Sequence, residues 1–265
     1  MTFVQVPRLP RRGEILHAST GWDDAAGGGG VAVVQLARLA GEAAFYTTLG
    51  DDANASSVRE RLETFGVRVH ATERPTPQRR AFTFLDEDHE RTITVIGERI
   101  VPHGSDRLDW QALAEFDGVY LTGGDAAAAQ AARAARVLVA TPRAVDALEG
   151  AGVTLDALVY SADDEDETRI AEALDPPPHH LVATRGAAGG RWTGTEGRTG
   201  EWQASDPPGA PADAYGAGDS FAAALTFALG RGDDLNASLK IAARAGAMCL
   251  TGHGPYERQL AAADL

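Results

Sequence analysis

A chain of 265 residues, 44% hydrophobic and 23% charged, is long enough to bury a large core and has the balance of a folded globular protein. Its net charge of −14 leaves no basic footprint for DNA or RNA, and no run of about 18 apolar residues is present to span a membrane. The single cysteine, Cys249, and an N-terminus "MTFVQVPRLPRRGE" without an apolar signal core point to the cytoplasm.

In chain order, a strand-like "EILHAS" precedes a glycine run from Gly27 to Gly30, after which "VAVVQLARLA" has helical spacing. "EAAFYTTLG" reads as a buried strand, and "NASSVRERLETFG" as a helix that opens at a polar cap and stops at Gly66. "AFTFLDEDHERTITVI" alternates around an acidic turn and predicts a β-hairpin near residues 80–96. "GVYLTGG" is a short strand and "AAAAQAARAARV" an alanine-rich helix. "VLVAT", "ALVYS" and "HLVATRG" are apolar runs of the kind found in fully buried parallel strands, with helical segments between them. Alternating β and α units predict a parallel sheet covered on both faces by helices. The Pro-rich "DPPPHH" and "DPPGAPAD" are loops, so residues 1–265 form one α/β domain from which the hairpin projects.

Several active-site types are excluded. Lys240 is the only lysine and lies in the amphipathic "NASLKIAARAGAMCL", so there is no G-x-x-x-x-G-K-[ST] loop, no kinase V-A-I-K strand and no candidate for a Schiff base. Neither G-x-S-x-G nor H-E-x-x-H occurs, and His179-His180 read as a solvated turn. The glycine run at Gly27–Gly30 lacks the third glycine of G-x-G-x-x-G, because position 33 is valine.

One segment does carry chemistry. "DAYGAGDSF" puts Gly216, Ala217, Gly218 and Asp219 directly ahead of the apolar helix "FAAALTFALG". A helix N-terminus exposes backbone N–H groups with a partial positive charge, and glycine lets a ligand approach that backbone closely. The segment is therefore a candidate anion hole. Asp219 has two readings on spacing alone: an N-cap, or a general base that takes a proton from an attacking hydroxyl.

"DAYGAGDSF" resembles the D-T-x-G-A-G-D motif of the ribokinase-like (PfkB) family of carbohydrate kinases, with Ala214 in place of the usual threonine. "AGGGG" leading into "LARLAGEAAFYTTLGDDA" is similar to the family's N-terminal Gly-Gly loop, helix and G-x-D. "GVRV" and "DEDHERTI" resemble its G-V-x-x stretch and lid hairpin, "ATRGAAGG" its nucleotide loop, and "TGHGPY" the loop beside its adenine pocket. The resemblance covers nearly the whole chain. It implies a three-layer α/β/α fold with a mainly parallel central sheet and a small β-lid built from residues 2–20 and 80–96. It implies Asp219 as the base, with Gly216, Ala217 and Gly218 as the anion hole. Thr184, Gly186, Gly189 and Asp213 become nucleotide contacts, Gly28, Gly29 and Asp52 acceptor contacts, and Asp164 a ligand to magnesium-bound water. ATP would be co-substrate with Mg²⁺, the acceptor a sugar or sugar-like alcohol, and the lid edges a surface for homodimer formation.

Three departures from the family pattern stand out. Val31 occupies the position of an asparagine that reads sugar hydroxyls. Ser161-Ala-Asp-Asp164 replaces N-x-x-E, within an acidic run that also suits a solvated helix start. "VPRLPRRGE" matches a lid segment that normally follows a first core strand, so that strand is expected to be missing here, with a start assigned downstream of the true one. These departures leave a second reading beside the kinase, a non-catalytic nucleotide- or sugar-binding protein on the same fold. The intact G-A-G-D argues for the kinase, since binding alone has no use for a base.

Overall fold

Strands β1 (Thr2–Gln5) and β2 (Thr20–Asp23) come first, then helix α1 (Gly28–Ala40), strand β3 (Ala43–Leu49), helix α2 (Ala53–Glu63) and strand β4 (Val67–Glu73). β5 (Arg80–Leu85) and β6 (Arg91–Ile96) pair antiparallel as the expected hairpin. The second half alternates: β7 (Gly118–Leu121), α3 (Ala126–Ala132), β8 (Val137–Ala140), α4 (Val145–Leu148), β9 (Ala157–Ser161), α5 (Glu165–Ala173) and β10 (His180–Thr184). It ends with β11 (Gly190–Gly194), β12 (Thr199–Trp202), α6 (Ala217–Arg231) and α7 (Leu235–Cys249). This computed structural model describes residues 1–87 and 91–265; residues 88–90, within the "DEDHERTI" stretch assigned to the lid, lie outside the described residues.

The apolar strands are buried on both faces because their side chains alternate between two cores. Val137 and Val139 of β8, Ala157 and Val159 of β9 and Val182 of β10 pack under α6 and α7. Leu138 and Ala140, Leu158 and Tyr160, and Ala183 from the same strands face the opposite core, with residues of α3, α4 and α5. Three layers follow directly from this period of two. β7 to β10 are parallel, and β11 and β12 add an antiparallel edge that the glycine-rich "GRWTG" and "TGEW" hide in the sequence.

The lid is a four-stranded sheet in the order β2-β1-β5-β6. The apolar "EILHAS" is not one of its strands. The second strand is instead "TGWD" at Thr20–Asp23, selected by antiparallel pairing with β1, in which Phe3 faces Trp22. Those two rings stack at 5.2 Å, and Phe3 is fully buried against Tyr215.

The central layer is broken. Six strands run β12-β11-β10-β9-β8-β7, and β3-β4 form a separate parallel pair. α1 packs on β3, β4 and β7, and Tyr46 of β3 packs against the core under β7, so both pieces belong to one layer. β8 is buried along its whole length, whereas most of β7 and the middle of β3 are only half-buried. The hydrogen-bonded ladder is thus interrupted between β3 and β7.

Candidate active site

Helix α6 begins on a strained turn. Gly216 is its N-cap in the left-handed region at φ 87°, and a Cβ there would lie 3.0 Å from Val31 Cγ1 and 3.1 Å from Pro255 Cβ. No side chain caps this helix. The N–H groups of Gly218 and Asp219 in the first turn thus have no acceptor among the described residues, and a Cβ on Gly218 would meet only open space. An anion seated there would satisfy donors that the fold leaves free.

Asp219 is not the cap. It sits within the first turn, 16% exposed at the side chain, with Arg143 Nη1 at 3.6 Å from its Oδ1 as its ion-pair partner. Burial pushes its carboxyl above the usual aspartate range; Arg143 and Arg91 oppose that shift, and Glu167 adds to it. A base of raised pKa beside unpaired backbone donors is the arrangement that proton removal from a hydroxyl calls for.

The glycine loop before α1 meets this turn. Gly27 N–H donates to the Tyr215 hydroxyl at 2.9 Å, tying the two loops together. A Cβ on Gly28 would stand 2.7 Å from Asp219 Oδ1 and 3.1 Å from Arg143 Nη1, and one on Gly29 would stand 3.0 Å from the Phe45 ring and 3.3 Å from Thr122 Oγ1. Gly28, Gly29, Asp219, Arg143 and Thr122 therefore enclose one crevice. Thr122 and Arg143 follow β7 and β8, Ser161 ends β9, and Thr184 pairs with Ser161 at the end of β10. All stand at the carboxyl ends of parallel strands, where open α/β sheets bind ligands.

Other residues singled out in the sequence have different work. Asp213 is 1% exposed, and its carboxylate accepts from Tyr215 N–H at 2.8 Å and Gly254 N–H at 3.1 Å. It braces the anion loop from within and has no free oxygen for a nucleotide. Asp52 is the N-cap of α2: Ala55 N–H and Gln78 N–H donate to its two oxygens, which holds its carboxyl below the usual range. It thereby fixes the turn after β3. Asp164 caps α5 through Asp166 and Glu167 N–H. The carboxylate in electrostatic reach of Asp219 and Arg143 is Glu167, three residues on, oriented by a 2.8 Å bond from Ser161 N–H. Val31 is fully buried beneath Gly216 and so cannot read an acceptor. Thr184 donates to Tyr160 O at 3.2 Å, Gly186 turns at φ 52° over open space, and Gly189 is a glycine because the Trp202–Ala204 backbone presses against it. Arg143, Glu167, Thr122 and Phe45 were not singled out from sequence. Their signal is position alone, since "VATPR" and "YLTGG" put Arg143 and Thr122 just past the ends of parallel strands.

Among the described residues no group of three or more His, Cys, Asp or Glu side chains converges to cage a metal ion. One carboxylate beside a phosphate site is nonetheless enough for Mg²⁺ carried in on a nucleotide, because Mg²⁺ keeps most of its water. No helix among the described residues is long and apolar enough to cross a membrane.

The fold and this crevice define a three-layer α/β/α protein that holds an uncapped helix start against a largely buried carboxylate. The chain belongs to the pfkB family of carbohydrate kinases, whose profile matches residues 2–261. A ribokinase of Arabidopsis thaliana is 30% identical over 99 residues, a stretch that is 36% of this chain and only 26% of that protein's own length. Among solved structures, a putative ribokinase from Agrobacterium tumefaciens superposes with a TM-score of 0.81 at 18% identity, over 97% of this chain and 90% of that one. Arabidopsis thaliana ribokinase, solved with ribose and ATP, superposes with a TM-score of 0.72 at 20% identity, over 96% of this chain and 90% of that one. The three-layer fold predicted from the β/α alternation and the motifs is thus the ribokinase fold.

Proposed function

We propose that this protein transfers the γ-phosphoryl group of ATP to a hydroxyl of a sugar or sugar-like molecule. The observation that carries the reading is the juxtaposition of Asp219, the uncapped first turn of α6 and the Gly28–Gly29 loop. The acceptor lies between Gly28–Gly29 and Asp219, and ATP lies toward Thr184, Gly186 and Gly189 at the end of β10. Asp219 takes the hydroxyl proton as that oxygen attacks the γ-phosphorus. The N–H groups of Gly218 and Asp219, with Arg143, hold the charge on the transferring oxygens. Mg²⁺ carried in on ATP would supply further charge neutralisation, and Glu167 is the carboxylate that would order its water. Positioning and charge stabilisation account for most of the acceleration.

The lid, residues 2–20 with 80–96, covers the acceptor and excludes water. Arg91 of β6 supports this role, since its Nη1 donates to Ala214 O at 3.3 Å in the anion loop. β6 is an exposed edge strand bearing Ile93, Val95 and Ile96 at 39–47% exposure, which suits pairing with a second copy in a cytoplasmic homodimer.

The test is a coupled assay of ADP release with magnesium-ATP across sugars, nucleosides and sugar phosphates. Release that depends on one acceptor is expected. ATP binding without any acceptor-dependent release would instead favour the binding-protein reading.

A further inference from the structure

The hydroxyl of Tyr215 makes one hydrogen bond where it is equipped for more. It accepts from Gly27 N–H at 2.9 Å and donates to no acceptor among the described residues. Tyr215 is only 6% exposed, and a buried tyrosine hydroxyl ordinarily finds a partner for its proton. Burial pushes this phenol up to about 12, with Asp219 adding to the shift and Gly27 N–H, Arg143 and Arg91 opposing it, so it keeps its proton at neutral pH. Asp219 and Arg143, which act on it, are groups that line the crevice.

The ring itself is held. Phe3 of the lid strand β1 meets it edge-on, with centroids 5.3 Å apart and planes at 76°. Gly27 N–H takes the accepting side of the hydroxyl, so the proton is the part of the side chain still free to choose a partner. Gly27 leads directly into Gly28, where an added Cβ would stand 2.7 Å from Asp219 Oδ1. Consecutive loop residues thus meet the tyrosine hydroxyl and the carboxylate. An acceptor seated between that loop and Asp219 has the free donor at its side. Val31, whose Cγ1 would stand 3.0 Å from a Cβ on Gly216, is apolar and leaves hydroxyl recognition to another residue.

Resting on the kinase reading above, we infer that Tyr215 is a specificity-determining residue, whose hydroxyl donates to an acceptor oxygen other than the one that is phosphorylated. The acceptor is then a polyol that presents a second hydroxyl toward the Gly27 end of the loop. Asp219 takes the proton of one hydroxyl while Tyr215 holds the other, which fixes the attacking oxygen as well as the molecule that carries it. Such a contact discriminates by omission. An acceptor without the second hydroxyl leaves the phenol proton buried and unpaired.

The probes are ribose, fructose and glucose with their monodeoxy derivatives, each supplied with magnesium-ATP and followed by ADP release. Removing the hydroxyl that Tyr215 reads should lower kcat/KM roughly 3–10-fold in the wild type. Tyr215→Phe should lower the parent sugar by a similar factor and leave that one deoxy derivative within about twofold, so the penalty at that position disappears while penalties at other positions persist. Loss of the Gly27 bond alone would lower every acceptor equally, and such a uniform loss would overturn the inference. So would a uniform loss joined to an acid limb that moves to higher pH, since the phenol proton would then belong to Asp219. A ring-fluorinated tyrosine at position 215 keeps the ring and strengthens the donor. It should widen the same deoxy penalty, and it serves in place of Tyr215→Phe if that variant melts below the assay temperature. Calorimetric binding of the probes without ATP tells the two readings apart. A loss of binding that is specific to one deoxy position and depends on Tyr215, with no turnover of any probe, supports the contact and rejects the kinase. Turnover with no deoxy position sensitive to Tyr215 rejects the contact and leaves the kinase standing, and a wild type that neither binds nor turns over any probe rejects both.

Discussion

Replacing Gly28 by alanine separates activity from stability in a way the geometry makes quantitative. The new methyl group would start 2.7 Å from Asp219 Oδ1, and ordinary contact begins near 3.4 Å, so the carboxylate must retreat by about 0.7 Å. Arg143 Nη1, at 3.1 Å, limits the retreat on one side. A displacement near 1 Å at a reacting group costs up to about 10²-fold in rate, so kcat should fall by roughly 10–100-fold with the KM for ATP unchanged. The fold should not suffer. Gly28 is the first residue of α1 and does not have a positive φ, so alanine fits the backbone and contributes up to about 1 kcal/mol through helix propensity and a less flexible unfolded chain. Tm is expected to hold or rise by about 3 °C at most. The assays are acceptor-dependent ADP release and a thermal melt on the same preparation. Turnover within twofold of wild type would refute the placement of Gly28 against the reacting carboxylate. A melt several degrees lower would show that the methyl group is absorbed by the core and not by the site.

Asp219→Asn should cut kcat by on the order of 10²-fold or more, measured by ADP release, since asparagine cannot take the proton. The wild-type carboxyl is held above its unfolded-state pKa, so its ionisation costs stability at neutral pH. The asparagine variant should melt at or above wild type at pH 7, and this margin should vanish as pH falls to the ordinary carboxylate range. The acid limb of kcat/KM should lie above the usual aspartate value of about 3.9, and Arg143→Gln should move it higher still; a limb that stays put or moves down in that variant would remove Asp219 as the titrating base. Asp213→Asn should lower stability by about 1–3 kcal/mol, seen as a Tm several degrees lower, because one of two backbone N–H donors would face an amide instead of an oxygen.

The order of strands and helices was legible because each buried parallel strand is a short apolar run bounded by turn residues, a local signal. β2 was not, because "EILHAS" is the more apolar stretch and only pairing with β1 selects "TGWD". The glycine-flanked start of α6 was legible for the same local reason, since it is a property of consecutive residues. Arg143 and Glu167 come within reach of Asp219 from segments far from it in sequence, and spacing along the chain does not show that convergence. Asp52, Asp164 and Asp213 show the opposite difficulty. A carboxylate at a loop end looks the same in sequence whether it binds a ligand or its own backbone, and here the N–H groups of Ala55, Glu167 and Tyr215 claim them.

Hydrogen-bonded strands pass load to one another sideways, and at the boundary between β3 and β7 that ladder stops. Across it, helix α1 packs on strands of both blocks. α1 starts at Gly28 against Asp219, on the large block, and lies along β3 and β4, on the small one. A slight slide of the small block along the boundary would thus be delivered at the helix tip, as a change in the clearance between Gly28 and the carboxylate. Because β5 and β6 follow directly from β4, the same slide carries part of the lid with it. Closing of the lid and tightening around that carboxylate would then share one mechanical coordinate, ending at a glycine where an added Cβ would stand 2.7 Å from Asp219 Oδ1.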